Sequence, residues 1–247
     1  MKKININIKI GLFILIGMLL GDWVVNAQVQ YRPRRVEVYV FAGPTISWLS
    51  TTLDGYKNDG ASIGGAYGIN TDINLVPTEE NYYFSTGLNV RHTAGKLSYK
   101  DVYTSKSEEK VLDAKIKSKY NTIYLSIPTT IKLKTNPFGR FIISGVVGLE
   151  HGICLKSLEH NEITRPNGSG FKEKNINKYK QTAVIKESMY ICFGFEFIIK
   201  DNTRASFGLA YDRGLNGMFR KKYQNTITKE SVKAHYNSFE FQFGFIF

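Results

Sequence analysis

From residue 35 onward the chain alternates apolar and polar positions with a period of two, the side-chain period of a β-strand. Ile63, Tyr67, Ile69, Ile73 and Leu75 fall on one face of a segment whose other face carries Gly64, Ala66, Gly68, Asn70, Asp72 and Asn74. The next segment sets Tyr82, Phe84, Leu88 and Val90 against Ser85, Gly87, Asn89 and Arg91. Further on, Ile123, Leu125, Ile127, Ile131 and Leu133 oppose Thr122, Tyr124, Ser126, Thr130 and Lys132. Phe141, Ile143, Val147 and Leu149 oppose Ser144, Gly148 and Glu150, with Ile142 and Val146 as exceptions. Met189, Ile191, Phe193, Phe195 and Phe197 then face away from Ser188, Tyr190, Cys192, Gly194 and Glu196. Phe207, Leu209 and Tyr211 oppose Ser206, Gly208, Ala210 and Asp212. The pattern ends on an unbroken aromatic row, Phe239, Phe241, Phe243, Phe245 and Phe247, opposite Ser238, Glu240, Gln242 and Gly244. With a weaker segment at 36–47, apolar on both faces, the spacing predicts an all-β chain of eight strands.

The connections alternate in length. Three are short turns, at 77–81, 136–139 and 200–203, and four are long, at about 48–60, 95–119, 156–182 and 217–234. Short turns on one side and long loops on the other predict an eight-stranded antiparallel up-and-down transmembrane β-barrel, with short periplasmic turns and long outer loops. Side-chain volume decides which face points outward. An eight-stranded barrel has an interior only just wide enough to be filled by side chains, and the Phe, Tyr, Ile and Leu of the apolar face are too bulky to fit there together. The Gly-, Ala- and Ser-rich face suits the lumen, so the apolar face is expected to meet lipid. The alternative, a soluble barrel with an apolar interior, calls for more Lys and Glu and fewer glycines on the polar face. Asp72, Arg91, Lys132, Glu150, Glu196, Asp212 and Glu240 are then lumen groups, expected to form paired networks because an unpaired buried charge is costly.

The first residues change the picture of where this barrel is made. Lys2, Lys3 and Lys9 precede an apolar run at 10–20, and Val25-Asn26-Ala27 precedes Gln28. A basic region, a short apolar stretch and a small residue before the junction read as a secretory signal peptide over 1–27, leaving 28–247 as one barrel domain. Eleven apolar residues fall short of the ~20 that a membrane-spanning helix needs.

At Tyr124-Leu125-Ser126-Ile127-Pro128, followed by Ile131-Lys132-Leu133-Lys134, the chain resembles the Y-L-x-I-P strand of the PorT-like outer-membrane β-barrel family. Ala210-Tyr211-Asp212-Arg213-Gly214-Leu215 resembles a second element near that family's end, and Ala27-Gln28 the signal junction common in Bacteroidetes. The resemblance covers nearly all of 28–247 and implies the eight-stranded barrel and a cell outer membrane. Through the family's founder it implies an association with type IX secretion, although no residue here singles that role out. Phe243, Phe245 and Phe247 fit the aromatic C-terminus that barrel-assembly machinery reads during biogenesis. Pro128, which removes a ladder donor in mid-strand, predicts a local bulge.

The net charge of +12 then acquires a location. Segments 95–119, 156–182 and 217–234 carry +3, +3 and +4, and 48–60 carries −1. The excess therefore lies on the long-loop side, where Lys115, Lys117, Lys119, Arg220, Lys221 and Lys222 become candidate contacts to lipopolysaccharide or other outer-membrane lipid, because Lys and Arg near anionic head groups are favourable. No aromatic platform or nucleic-acid motif accompanies the charge, so nucleic acid is not expected as a partner. Other envelope or secretion proteins are. His92, His151 and His235 near the outer strand ends, with Ser98, Ser157 and Glu159, suggest a rim hydrolase acting on lipid A as one alternative function. A small-solute pore is the other. Nothing at Cys-x-x-Cys or His-Glu-x-x-His spacing suggests a metal, and neither a cofactor nor catalysis is expected. Pairing Phe141 near Ile199 places Cys192 beside Gly148 and far from Cys154, which predicts two free thiols. Asn167-Gly168-Ser169, flanked by Pro166 and Gly170, predicts a mobile loop tip.

Overall fold

The computed structural model describes residues 34–76, 78–79, 81–105, 110–200, 203–220 and 224–247. The expected signal peptide, Lys221 and Lys222 lie outside them. Ten strands follow in order: β1 (Val36–Thr51), β2 (Lys57–Asn58), β3 (Ser62–Asn74), β4 (Tyr82–Thr104), β5 (Lys110–Lys134), β6 (Phe141–Thr164), β7 (Gly170–Asn177), β8 (Ile185–Lys200), β9 (Thr203–Gly214) and β10 (Ala234–Ile246). Eight of them close a ring: β1, β3, β4, β5, β6, β8, β9 and β10 each pair antiparallel with the next, and β10 returns to β1. The seam is complete at its lower end, where Val38 N–H donates to Phe247 O at 3.1 Å and Phe247 N–H to Val38 O at 2.9 Å. Closure leaves no unpaired edge within the ring, which is the condition for a sheet to sit in hydrocarbon.

The period-two pattern sorts the two faces as volume requires. The outward face is a continuous apolar belt including Ile63, Ile69, Leu88, Ile127, Ile143, Phe193, Leu209, the four phenylalanines of β10 and Phe247 after it. On β5 the belt runs from Leu133 to Ile123, ten residues along the strand. At ~3.3 Å per residue and a tilt of ~40° that is a band about 25 Å tall, the height of a membrane-spanning apolar girdle. The fold is a transmembrane barrel. Its interior is narrow enough to need the small residues that line it. A Cβ on Gly244 would meet the Tyr39 ring at 2.7 Å, so a larger residue there would displace a lumen side chain.

Three features depart from the sequence reading. The segments at 95–119 and 156–182 are not loops. β4, β5 and β6 run on past the barrel rim and, with β7 paired to β6 and the two-residue β2 paired to β4, form a five-stranded wall above it. Alternation continues there, with Leu97, Tyr99, Ala114, Ile116 and Tyr120 buried on the inner face and lysines on the outer. The lysines had suggested solvated loops. At 166–170, as the Pro, Asn and Gly there predict, the chain makes a tight turn between β6 and β7. Gly168 takes φ +84°, a left-handed conformation that glycine adopts without a Cβ penalty.

Pro128 carries no bulge. It stands opposite Glu150 in register, and β4 partners Thr86 with Thr129 and Asn89 with Ser126 in a single register across the proline. The missing donor costs only a local lapse in the ladder beside Gly87. The bulge of β5 and β6 falls at the rim, where Ile123 pairs with Lys156 and Tyr124 with Cys154, leaving Leu155 extra. Phe141 stands opposite Phe197, not Ile199, because Ile198 N–H closes the ladder on Arg140 O at 2.8 Å. Cys192 therefore faces Val146, and both cysteines are free.

Candidate functional site

Two ionic networks fill the lumen. At the short-turn end, Lys132 Nζ lies 2.8 Å from Asp72 Oδ2 and 2.9 Å from Glu196 Oε1. Lys134 pairs with Glu37, and Arg204 bridges Glu37 and Glu196, its Nε 3.1 Å from Glu196 Oε2. Three bases and three acids thus neutralise one another out of contact with water. The Lys134 ammonium also lies over the Tyr83 ring, 4.2 Å from its centroid. Higher up, Arg91 spans the lumen between Glu150 of β6 and Glu240 of β10. Gln242 Nε2–H donates to Glu240 Oε1 and to the Tyr190 hydroxyl, both at 2.7 Å. Lys186 holds Asp212 at 2.5 Å. All seven lumen groups read from the sequence therefore lie inside, and each is paired. Glu37, Lys134, Lys186 and Arg204 belong to the same networks but were missed: Glu37 lies in the weak segment at 36–47, apolar on both faces, and the other three sit one or two residues beyond the segments scored. Extending the parity from Val36, Leu133, Ser188 and Ser206 would have found them. The enclosed space these groups leave is about 40 Å³.

Above the upper network the outer mouth is closed by apolar packing. Leu49, Leu97, Ile116, Tyr120, Tyr124, Met218, Phe219 and Tyr236 form one buried cluster. Phe219 meets Tyr120 edge-on at 5.2 Å, and Tyr56 stacks on Tyr99 at 4.5 Å. Residues 215–220 and 224–233 are folded down onto this cluster. Met218 N–H donates to Ala234 O at 2.6 Å, and Ala183 N–H to Met218 O at 2.7 Å. Its apex is pinned by Asn225, whose Nδ2 donates to the Tyr56 hydroxyl at 3.1 Å and to Lys100 O at 3.2 Å. Asn225 Oδ1 accepts from Ile227 N–H and Thr228 N–H, and Asp101 accepts from Thr226 N–H. Burial pushes the Tyr56 hydroxyl up to about 12, so it remains a neutral partner for Asn225. Asn225→Ala strands several of these groups and is expected to cost about 1–3 kcal/mol locally. Hydrogen exchange across 215–233 should accelerate while the barrel itself stays folded.

The outer face of the wall carries the remaining charge. Lys115, Lys117 and Lys119 point outward from β5, as expected for candidate lipid contacts, and Lys117 pairs with Asp59 at 3.3 Å. Arg220 does not join them. Its Nε donates to Thr182 O at 3.0 Å and its backbone N–H to Gln181 O, so it clamps the cap. The hydrolase candidates are not brought together. Ser157 is buried on the inner side, accepting from Thr182 Oγ1 at 2.8 Å. His151 faces outward beside Glu187, and Ser98 lies outward on β4 opposite Lys117. The sheet separates Ser157 from the outward histidines, and Ser98, on their side of it, stands six residues along β4 from His92, about 20 Å at ~3.3 Å per residue.

No protein-family model matches the chain, and no curated protein matches it. Among solved structures it is similar to Neisserial surface protein A (14% identity, 85% of this chain and 95% of that one, TM-score 0.40). It is similar also to the outer membrane protein OprG from Pseudomonas aeruginosa (12% identity, 89% and 99%, TM-score 0.39). A third is Ail, the attachment invasion locus protein of Yersinia pestis (12% identity, 87% and 100%, TM-score 0.37).

Proposed function

We propose that this chain is an exported, non-enzymatic outer-membrane barrel with a structural, accessory or surface-binding role in the cell envelope. The observation that carries the proposal is the contrast between its two polar surfaces. The lumen is spent on internal pairing and sealed by a packed cap, whereas the basic face of the wall stands exposed above the apolar belt. A protein that moves solutes or performs chemistry inside its barrel keeps open volume there. One that binds at the surface has no use for it and gains stability by filling it.

The wall lysines, Lys115, Lys117 and Lys119, are suited to contact lipopolysaccharide or another anionic lipid, since each adds favourable energy near a charged leaflet. Phe243, Phe245 and Phe247 stand exposed on the lipid face and are suited to the aromatic signal that barrel-assembly machinery reads. The resemblance to PorT-like barrels narrows the proposal to a Bacteroidetes outer membrane, with an accessory role in type IX secretion as its most specific form. Other envelope proteins would then be partners of the cap and wall.

Planar-bilayer recording from the purified protein tests this reading against a small-solute pore. The expected trace is a flat baseline. Stable, reproducible conductance steps would contradict it, because neither the enclosed 40 Å³ nor the apolar cap offers an ion a hydrated path.

A further inference from the structure

Four rows of side chains climb the outer face of the wall, each crossing β4, β5 and β6. The lowest is His92, Ile123 and Lys156, and the next is Ala94, Asn121 and Leu158. Above them stand Lys96, Lys119 and His160, and then Ser98, Lys117 and Glu162. The lowest row contains Ile123, the last apolar position of the belt on β5. Two rows up, ~13 Å along the strands and about 10 Å along the membrane normal, the backbone stands just beyond a head-group layer of ~5–8 Å, within reach of it for a lysine side chain. The two lower rows, with Ile63 and Gly64 of β3, border a groove of about 210 Å³, opened where Ala94 and Asn121 stand in place of longer side chains. A second cavity of about 240 Å³ lies over the basic row, lined also by Lys117, Lys172 and Lys174 and by the carboxylates of Asp59, Glu162 and Glu173, so that lysines outnumber acids around it.

That basic row has no reason to exist for the fold alone. Lys96 and Lys119 stand directly opposite one another, and Lys119 directly opposite His160. Like charges in facing positions destabilise a sheet. Around them the charge is balanced, Lys117 by Asp59 and Lys172 by Glu162. Lys96 and Lys119 have no salt bridge among the described residues.

His160 is aimed on purpose. The β6–β7 ladder shifts register here, setting Lys174 and Asn175 opposite His160. Such bulges re-aim a side chain. Asn175 takes φ +57°, a left-handed conformation that asparagine tolerates. Its N–H then donates to His160 Nδ1 at 3.2 Å. With Nδ1 occupied as an acceptor, the ring proton sits on Nε2 as a donor. Burial, with Lys119 and Lys174 nearby, holds the imidazole below its ordinary range and keeps it neutral.

We infer that Lys96, Lys119 and His160 form a binding site for the phosphate of a membrane lipid, whose backbone lies in the groove below and whose acyl chains run down the belt past Ile63 and Ile123. Two ammonium groups and one imidazole N–H face a single volume, and a phosphate placed among them turns the repulsion of the lysines into charge-assisted hydrogen bonds. Lys156, at the groove's lower end, lies level with the ester or sugar region. The inference rests on the proposed membrane orientation and adds to it a defined site and ligand class. The groove, continuous with the apolar belt at Ile63 and Ile123, favours a lipid over a soluble phosphate.

The test is native mass spectrometry of the full chain purified from membranes in non-ionic detergent. Dimyristoyl phosphatidic acid, dimyristoyl glycerol and glycerol 3-phosphate are titrated as probes. One molecule of phosphatidic acid should be retained, with neither diacylglycerol nor glycerol 3-phosphate held comparably. Lys96→Gln, Lys119→Gln and His160→Gln combined should weaken that binding by about tenfold or more. Removing the same charge elsewhere (Lys110→Gln and Lys229→Gln) should leave it unchanged. Equal loss in both variants would mean a diffuse charge effect and overturn the site. Equal binding of glycerol 3-phosphate would overturn the lipid assignment. Unchanged binding in the first variant would overturn both. Heat-shifted migration on gels checks that each variant is folded, and the conductance recording stands apart, so the site can fail without the sealed-barrel reading failing with it.

Discussion

Arg91→Leu is expected to cost about 3–5 kcal/mol of folding stability, because removing one partner of a buried ion pair leaves the others charged and unpaired. Arg91 is fully enclosed and bridges Glu150 and Glu240 from opposite sides of the lumen, so a single substitution strands two carboxylates. Urea unfolding in lipid vesicles, followed by the fluorescence of Trp48 against Phe239 at the rim, reads the change. Replacing the set together, with Glu150→Gln and Glu240→Gln added, should recover most of the loss, since a neutral group buried with a hydrogen-bond partner is far cheaper than a lone charge. A loss below about 1 kcal/mol for Arg91→Leu would mean that the carboxylates find water as their partner. The lumen would then be hydrated and the pore reading revived.

The second large effect lies on the other face. Phe243 is the middle member of the outward phenylalanine row, packed edge-on against Phe207 at 5.7 Å. Phe243→Arg places a charge near the middle of the hydrocarbon and is expected to cost about 2–4 kcal/mol. The same change at Phe239, at the rim end of the row beside Tyr211 and Trp48, should cost about 0–1 kcal/mol, because an arginine there snorkels to the head groups. The measurement is the pair of unfolding free energies in the same vesicles. A depth gradient of this kind is a property of a bilayer, and a solvated outer face would give two small and equal values.

The barrel was legible in the sequence because its two faces differ in size as well as polarity. Phe239 to Phe247 against Glu240, Gln242 and Gly244 states both which side is buried in lipid and which is confined. The lumen charges were legible for the same reason, since Asp72, Arg91, Lys132, Glu150, Glu196, Asp212 and Glu240 each interrupt a small-residue face. Partners were not. Parity places Arg91 and Glu240 inside, but only the stagger of the closed sheet brings them across the lumen to each other.

The wall was misread for a physical reason. Lys96, Lys100, Lys115, Lys117 and Lys119 raise the polarity of the segment and resemble a solvated loop, although Leu97, Tyr99, Ile116 and Tyr120 keep the strand period beneath them. A strand with water on one face and an apolar cap on the other has the composition of a loop and the periodicity of a sheet. Here periodicity was the better guide. Met218 and Phe219, the plug of the mouth, lie in a segment without regular period. Nothing local marks them as core, because the surface that buries them comes from β4, β5 and β10.

The orientation of the two faces is tested most directly by fractionating cells that export the full-length chain and running the fractions on gels with and without boiling. A protein in the outer-membrane fraction whose boiled and unboiled forms migrate differently is the expected result, since a closed barrel in detergent resists unfolding until heated. A single unshifted band in the soluble periplasmic fraction would contradict it. The phenylalanine belt would then be covered by something other than lipid.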